Sequence, residues 1–167
     1  MRIRPGGADD VPVVLALMDE AVEWLVARGQ TGQWGTEPLS GRSSFVSQLE
    51  GWVATGGLRL AESEDGRPLG ALIVGAHHPY VPPVEEPELY VILLVTSRRW
   101  SGEGVGTALV EQAIAEARGA GVQLLRVDCW AGAPGLVQWY QAQGFVPIKR
   151  FAVGDWQGQL FELRIDS

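Results

Sequence analysis

The chain has 167 residues, 46% hydrophobic and 20% charged, with a formal net charge of −7. This is a globular composition, and the length suits one domain over residues 1–167; no apolar run is long enough to span a membrane. The acidic balance argues against a nucleic-acid surface and suits encounter with a cationic partner such as an amine. The N-terminal MRIRPGGADD lacks the apolar segment of a secretory signal, and lone Cys129 supplies neither a disulfide framework nor a metal-binding set. The expectation is a soluble cytoplasmic protein without a metal.

Met1–Arg4 predicts a short strand. Asp9 or Asp10 can cap a helix running to about Arg28, with Val11, Leu15, Met18, Val22 and Leu25 near one face. Residues 29–41 read as a loop, and Ser43 or Ser44 caps a second helix through about Leu49. Leu58–Glu62 and Leu69–Gly75 flank an Asp65-Gly66 turn and predict a hairpin. His77–Pro87 carries four prolines and is a loop. Leu89–Val95 reads as a buried strand, and Gly104–Ala120 as a helix whose Val105, Leu109, Ala113 and Ala117 share a face. Leu124–Cys129 is a further strand, and Pro134 opens a helix that Gly144 ends. Phe145–Phe151 and Gln159–Ile165 complete the chain as strands around a turn at Gly154 or Gly158, and such edges could support a homodimer.

The segment Ser101-Gly102-Glu103-Gly104-Val105-Gly106 separates the buried strand from the long helix. Alternating glycines there leave backbone N–H groups open beside a helix N-terminus, a setting for phosphate or pyrophosphate. A dinucleotide fold would place a third glycine where Thr107 stands and start its turn closer to the strand, yet six residues separate Val95 from Gly102. Asp128 at the end of the next strand keeps a dinucleotide-binding oxidoreductase as a remote alternative. No Gly-Lys-Ser/Thr follows, which removes the nucleotidase phosphate loop.

The segment VTSRRWSGEGVGTALV resembles the GNAT superfamily of acetyl-CoA-dependent N-acetyltransferases, whose signature is Arg/Gln-x-x-Gly-x-Gly/Ala opening a helix after a strand. Arg99 to Gly104 satisfies the letters directly. Setting Gly104-Val105-Gly106 over the final Gly-x-Gly instead puts Ser101 at the Arg/Gln position and lets Val105 and Leu109 begin the buried face. Tyr140-Gln141-Ala142-Gln143-Gly144-Phe145 matches the family's Tyr-x-x-x-Gly-Phe, while Ala133 replaces an Asn often found seven residues before the Tyr. The likeness is good over residues 88–146 and elsewhere extends to element order.

The resemblance implies an α/β (α+β) fold: a mixed, mostly antiparallel sheet of six to seven strands, splayed between strands 4 and 5, with four helices. It implies acetyl transfer from acetyl-CoA to a primary amine, of a small molecule or a peptide, by direct attack. Leu94 and Val95 would align the pantetheine, and Ser101, Gly102, Glu103, Gly104, Val105, Gly106 and Thr107 would hold the pyrophosphate, aided by Arg98 and Arg99. Tyr140 would protonate the leaving thiolate. Glu88 stands first among bases, with Glu85, Glu86 and Asp128 beside it; His77 and His78 read as exposed loop residues. Of seven tryptophans, Trp24, Trp34 and Trp52 would fall in the acceptor segment, and Trp130 and Trp139 beside the coenzyme channel. Cys129 reads as a buried small hydrophobe. An acyl-CoA-binding sensor without turnover is the alternative from another class.

Overall fold

The computed structural model describes residues 1–100 and 102–166. Its strands are β1 (Arg2–Pro5), β2 (Leu58–Glu62), β3 (Pro68–Gly75), β4 (Leu89–Thr96), β5 (Leu124–Trp130), β6 (Val146–Val153) and β7 (Trp156–Arg164). The helices are α1 (Val11–Ala27), α2 (Ser43–Ala54), α3 (Val105–Gly119) and α4 (Pro134–Ala142). The strands form a seven-stranded sheet in the order β1-β2-β3-β4-β5-β7-β6. Every neighbouring pair is antiparallel except β4 and β5, as the mixed sheet expected from the sequence requires. The C-terminal hairpin turns at Gly154, whose φ is +60°, and folds back so that β7 lies between β5 and β6.

One core lies between the sheet and α3 and α4, built on Leu109, Ala113, Leu125, Val127 and Phe161. A second lies on the other face under α1 and α2, around Val14, Met18, Leu49, Ile73 and Leu93. α3 buries Val105, Leu109, Val110, Ala113 and Ala117, the stripe its periodicity predicts. α1 buries a shifted arc rather than its expected stripe: Val14, Leu17 and Ala21 go inside with Val11, Met18 and Val22, while Leu15 and Leu25 are half-buried. The helix is packed by both the sheet and α2, so one narrow face does not describe it. α2 continues past Leu49 to Ala54. Gly51 costs about 1 kcal/mol in a helix interior, but Leu49 and Val53, one turn apart, are both buried and carry the helix through it.

β4 contains the irregularity that makes the site. Ile73 faces Leu93 while Val74 faces Val91, so Ile92 is an extra residue in the ladder. On a regular strand, residues two apart share a face. Here Val91 packs into the α3–α4 core and Leu93 into the α1–α2 core. The bulge reverses the alternation and bends β4 at the point where its pairing with β5 stops. Among the described residues, no helix is long and apolar enough to cross a membrane.

Candidate active site

β4 and β5 pair only through Leu89–Leu125, Tyr90–Arg126 and Val91–Val127. From Ile92 and Asp128 onward the two strands diverge, the splay expected from the sequence. A cavity of about 290 Å³ occupies the gap. Its lining comes from both faces of the sheet: Met18, Trp34 and Trp52 from the α1–α2 side, and Val91, Val127 and Tyr140 from the α3–α4 side. A closed sheet would keep these two sets apart, and the splay joins them.

Asp128 enters the cavity from β5. The Tyr90 hydroxyl donates a hydrogen bond to its Oδ2, and the Tyr80 hydroxyl reaches the same carboxylate. Burial holds the Asp128 carboxyl above the ordinary carboxylate range, against the hydrogen bonds from the two tyrosines. A carboxylate raised in this way is a stronger proton acceptor near neutral pH. Tyr140, 5% exposed, lines the same cavity from α4, and among the described residues its hydroxyl has no hydrogen-bond partner. Burial pushes the Tyr140 phenol above its usual value, with Cys129 and Asp128 adding to the shift, so it stays protonated. An acceptor and a donor of protons thus face one space.

Aromatic rings wall the α1–α2 side of this space. Phe45 meets Trp52 edge-on at 6.1 Å, Trp52 meets His78 at 5.4 Å, and His78 stacks on Tyr80 at 4.9 Å. Tyr80 continues to Phe151 at 5.6 Å and Trp156 at 6.4 Å. The chain of rings runs from α2, through the proline loop, to the β6–β7 hairpin. His78 is not the exposed loop residue expected: it is 8% exposed, with Nε2 3.2 Å from the Ile92 carbonyl oxygen. Its ring fills the hollow left between α2 and the bulge. Gln33, on the loop after α1, accepts the Trp130 N–H through Oε1 at 2.8 Å. The Trp130 indole is held between Gly32 and Gly132, where a Cβ would lie 2.1 Å and 2.3 Å from the ring.

On the other side of the gap, β4 runs into the glycine segment. Gly102 and Gly104 have φ of +85° and +78°, a conformation that favours glycine, and open space where a Cβ would point. Gly104 is the N-cap of α3, and the Ala108 N–H bonds its carbonyl at 3.0 Å. The first-turn amides of Val105, Gly106 and Thr107 therefore have no intrahelical acceptor, as an anion cradle requires. Val105 and Leu109 do open the buried face, the feature behind the second register. At Gly106 the constraint is different: an added Cβ would lie 2.8 Å from the Trp139 ring. Ser101 lies outside the described residues.

The remaining sequence candidates fall in distinct places. Leu94 lines the cavity, and Val95 packs toward α1. Arg98 turns to α1, its guanidinium 3.9 Å from the Trp24 ring centroid, so Trp24 supports the loop and does not line the cavity. Glu20 Oε1 accepts the Arg98 N–H at 2.7 Å and the Ser97 hydroxyl at 2.9 Å, strapping the start of the loop to α1. Arg99 is exposed on a short 3-10 turn, and exposed Glu103 faces a hollow shared with Glu64 and Asp65. Glu88 receives a two-pronged hydrogen bond from Arg126, which also donates to the Pro82 carbonyl at 2.9 Å. This guanidinium is 1% exposed, so Glu88 is occupied as its counter-ion and does not line the cavity. Glu86 pairs with Arg164. Cys129 is buried on the α3–α4 face with its thiol pushed up to about 12, mainly by burial, and is inert at neutral pH. Tyr80, Phe45 and Trp156 are cavity residues that no sequence motif marks. Among the described residues, no cluster of His, Cys, Asp and Glu could hold a metal ion.

The fold is shared with solved acetyltransferases. A GNAT-family acetyltransferase from Listeria monocytogenes superposes with a TM-score of 0.73 at 24% identity, covering 98% of this chain and 94% of that one. The ribosomal-protein-alanine N-acetyltransferase from Brucella melitensis gives a TM-score of 0.72 at 20% identity, over 99% and 100% of the two chains. The Salmonella typhimurium yncA protein, solved with its cofactor acetyl-CoA, gives 0.69 at 17% identity, over 100% and 95%. No curated protein matches the chain by sequence. The sequence model of the acetyltransferase (GNAT) family matches residues 19–145. That span runs from within α1 to Phe145 and takes in the splay, the glycine segment and Tyr140. The chain belongs to the acetyltransferase (GNAT) family.

Proposed function

We propose that the protein transfers an acetyl group from acetyl-CoA to a primary amine bound in the cavity between β4 and β5. The observation that carries this reading is the meeting of Asp128 and Tyr140, from opposite faces of the sheet, in one cavity. Leu94 and Val95 would align the pantetheine through the β4 backbone. Gly102 to Thr107 would hold the pyrophosphate by their amides, with Ser101, Arg98 and Arg99 as neighbours. The open space at Gly102 and Gly104 fits that role. Acetyl-CoA supplies the activated acyl group: the amine nitrogen bonds to the thioester carbonyl carbon as the carbon–sulfur bond breaks.

Asp128 replaces Glu88 as the base in this reading. Its carboxylate accepts a proton from the attacking nitrogen, and Tyr90 and Tyr80 keep that carboxylate oriented. Tyr140 donates its proton to the departing sulfur and is reprotonated from solvent after release. The products are an N-acetylated amine and coenzyme A, and the proton lost by nitrogen balances the one gained by sulfur. Most of the rate comes from holding nitrogen and carbonyl together; proton transfer adds about 10²- to 10⁴-fold.

The test is thiol release from acetyl-CoA across a panel of amines, with acetyl-CoA affinity measured separately by calorimetry. Asp128→Asn and Tyr140→Phe should lose turnover and keep acetyl-CoA affinity. Tight acetyl-CoA binding without turnover on any amine would favour the sensor alternative, and absence of binding would overturn both.

A further inference from the structure

Resting on that reading, we propose that the acceptor is a primary amine carried on a ring-sized apolar body, with no carboxylate or phosphate of its own. The charge inventory of the cavity points this way. Asp128 is the one carboxylate among the lining residues described, and the lining holds no lysine or arginine. The one other ionisable nitrogen of the lining, on His78, is turned to the Ile92 carbonyl oxygen at 3.2 Å, and the nearby arginines are engaged elsewhere. Arg126 lies against Glu88 and the Pro82 carbonyl, and Arg42 reaches the Trp34 carbonyl oxygen at 3.4 Å. An ammonium finds a counter-charge here. A second anionic group on the same small molecule finds no lysine or arginine in the lining, and it would lie close to Asp128.

The distribution of polar groups sets the body of the acceptor. Asp128 and Tyr140, with the Tyr90 hydroxyl behind Asp128, cluster at the gap between β4 and β5. Away from that end the walls are mainly rings, Trp34, Phe45, Trp52 and Trp156 with His78 and Tyr80 between them, and Met18 lies beneath. Flat ring faces attract both an ammonium and an apolar ring. The ring faces themselves offer no hydrogen bonds to the amides of a peptide, whose burial against them is costly. Gln33 spends its carbonyl on the Trp130 backbone N–H, which leaves it a single kind of contact, its Nε2 donor, to offer an amide. A cavity of about 290 Å³ is at the small end of ligand sites, enough for a one- or two-ring amine and short of an oligosaccharide. A polyamine would bring further ammonium groups to a wall with no second carboxylate.

The rim supplies a way to reverse the preference. Val153 is 43% exposed and still lines the cavity, so a longer cationic side chain there can reach inward without disturbing the core. The experiment compares kcat/KM for 2-phenylethylamine and tryptamine with that for phenylalanine, tryptophan, spermidine and phenylalanyl-glycine amide. It is run on the wild-type protein and on Val153→Arg, with acetyl-CoA KM and calorimetric affinity recorded in parallel. The two arylalkylamines should lead each competitor by about 100-fold or more. Val153→Arg should narrow the gap to the amino acids at least about tenfold with acetyl-CoA KM unchanged. Transfer to amino acids, spermidine or the peptide amide at parity or better would overturn the acceptor class and leave the acetyltransferase reading standing. Silence on every amine would overturn the acceptor class as well. In that case loss of acetyl-CoA binding would remove the acetyltransferase reading with it, whereas retained binding would point to the sensor.

Discussion

The glycine segment and the aromatic cavity sit on either side of one diverging strand pair and are built in opposite ways. The segment is local: Gly102 to Thr107 are consecutive, and the role proposed for them is one of backbone amides, with open space at Gly102 and Gly104. The cavity is assembled from α1 and the loop after it, α2, the proline loop, β4, β5, α4 and the β6–β7 hairpin, and its walls are shaped by side chains from all of them. A backbone cradle suits a ligand whose anchoring group never varies. A wall of side chains suits the partner that differs from one enzyme to the next. Disturbances on the two sides should therefore separate cleanly in kinetics.

The largest expected effect is on the cavity side. Asp128→Asn should lower kcat by about 10²- to 10⁴-fold, with acetyl-CoA affinity unchanged in calorimetry. The same substitution has a stability signature. A carboxyl raised by burial binds its proton more tightly in the folded state than in the unfolded one. The wild-type protein should therefore lose stability as pH rises from the ordinary carboxylate value through the raised one. Its acidic activity limb should climb over the same window as the base ionises. Denaturation of wild type and Asp128→Asn at a series of pH values isolates the effect, because Asp10 and Glu62, held low by Arg4, contribute equally to both. An acidic limb unmoved by the state of Asp128 would leave the protons to another group.

Tyr140→Phe should follow, with about a 10²-fold loss in kcat and little change in stability, since its hydroxyl makes no hydrogen bond among the described residues. A change confined to KM would argue that the ring is packing alone. On the other side of the gap, Gly104→Ala forces a side chain into a left-handed conformation at φ +78°. It should cost about 1–2 kcal/mol in stability and raise the acetyl-CoA KM while the amine KM holds. Glu20→Gln should have the smallest effect. It weakens the strap on Ser97 and Arg98 by a few fold in acetyl-CoA KM, and an equal rise in the amine KM would show that the two sides are coupled.

What was legible in the sequence follows the same division. The glycine segment, the α3 stripe and Tyr140 to Phe145 could be read because each is a short continuous pattern with one physical explanation. Asp128 could be seen only as one acid among several, because nothing local distinguishes it from Glu88. The difference lies across the sheet, where Arg126 occupies Glu88 and Tyr90 turns to Asp128. The run VILLV carries no trace of the Ile92 bulge, since a strand buried on both faces is apolar at every position. Tyr80, Phe45 and Trp156 stayed hidden because only the placement of β7 beside β5 and the fold of the proline loop bring their elements together.

Trp130, keyed between Gly32 and Gly132, has a practical meaning for changing what this protein accepts. The loop carrying Gln33 and Trp34 is fastened to β5 by one indole slot and one hydrogen bond. It behaves as a cassette with a defined socket. Replacements for residues 29–41 that keep Gly32, Gln33 and the core residue Leu39 can be grafted as a library onto an otherwise unchanged chain. A graft that lacks Gly32 or Gln33 loses its registration with the sheet, and one that lacks Leu39 opens the α1–α2 core, so those three positions mark where such a library must stay fixed.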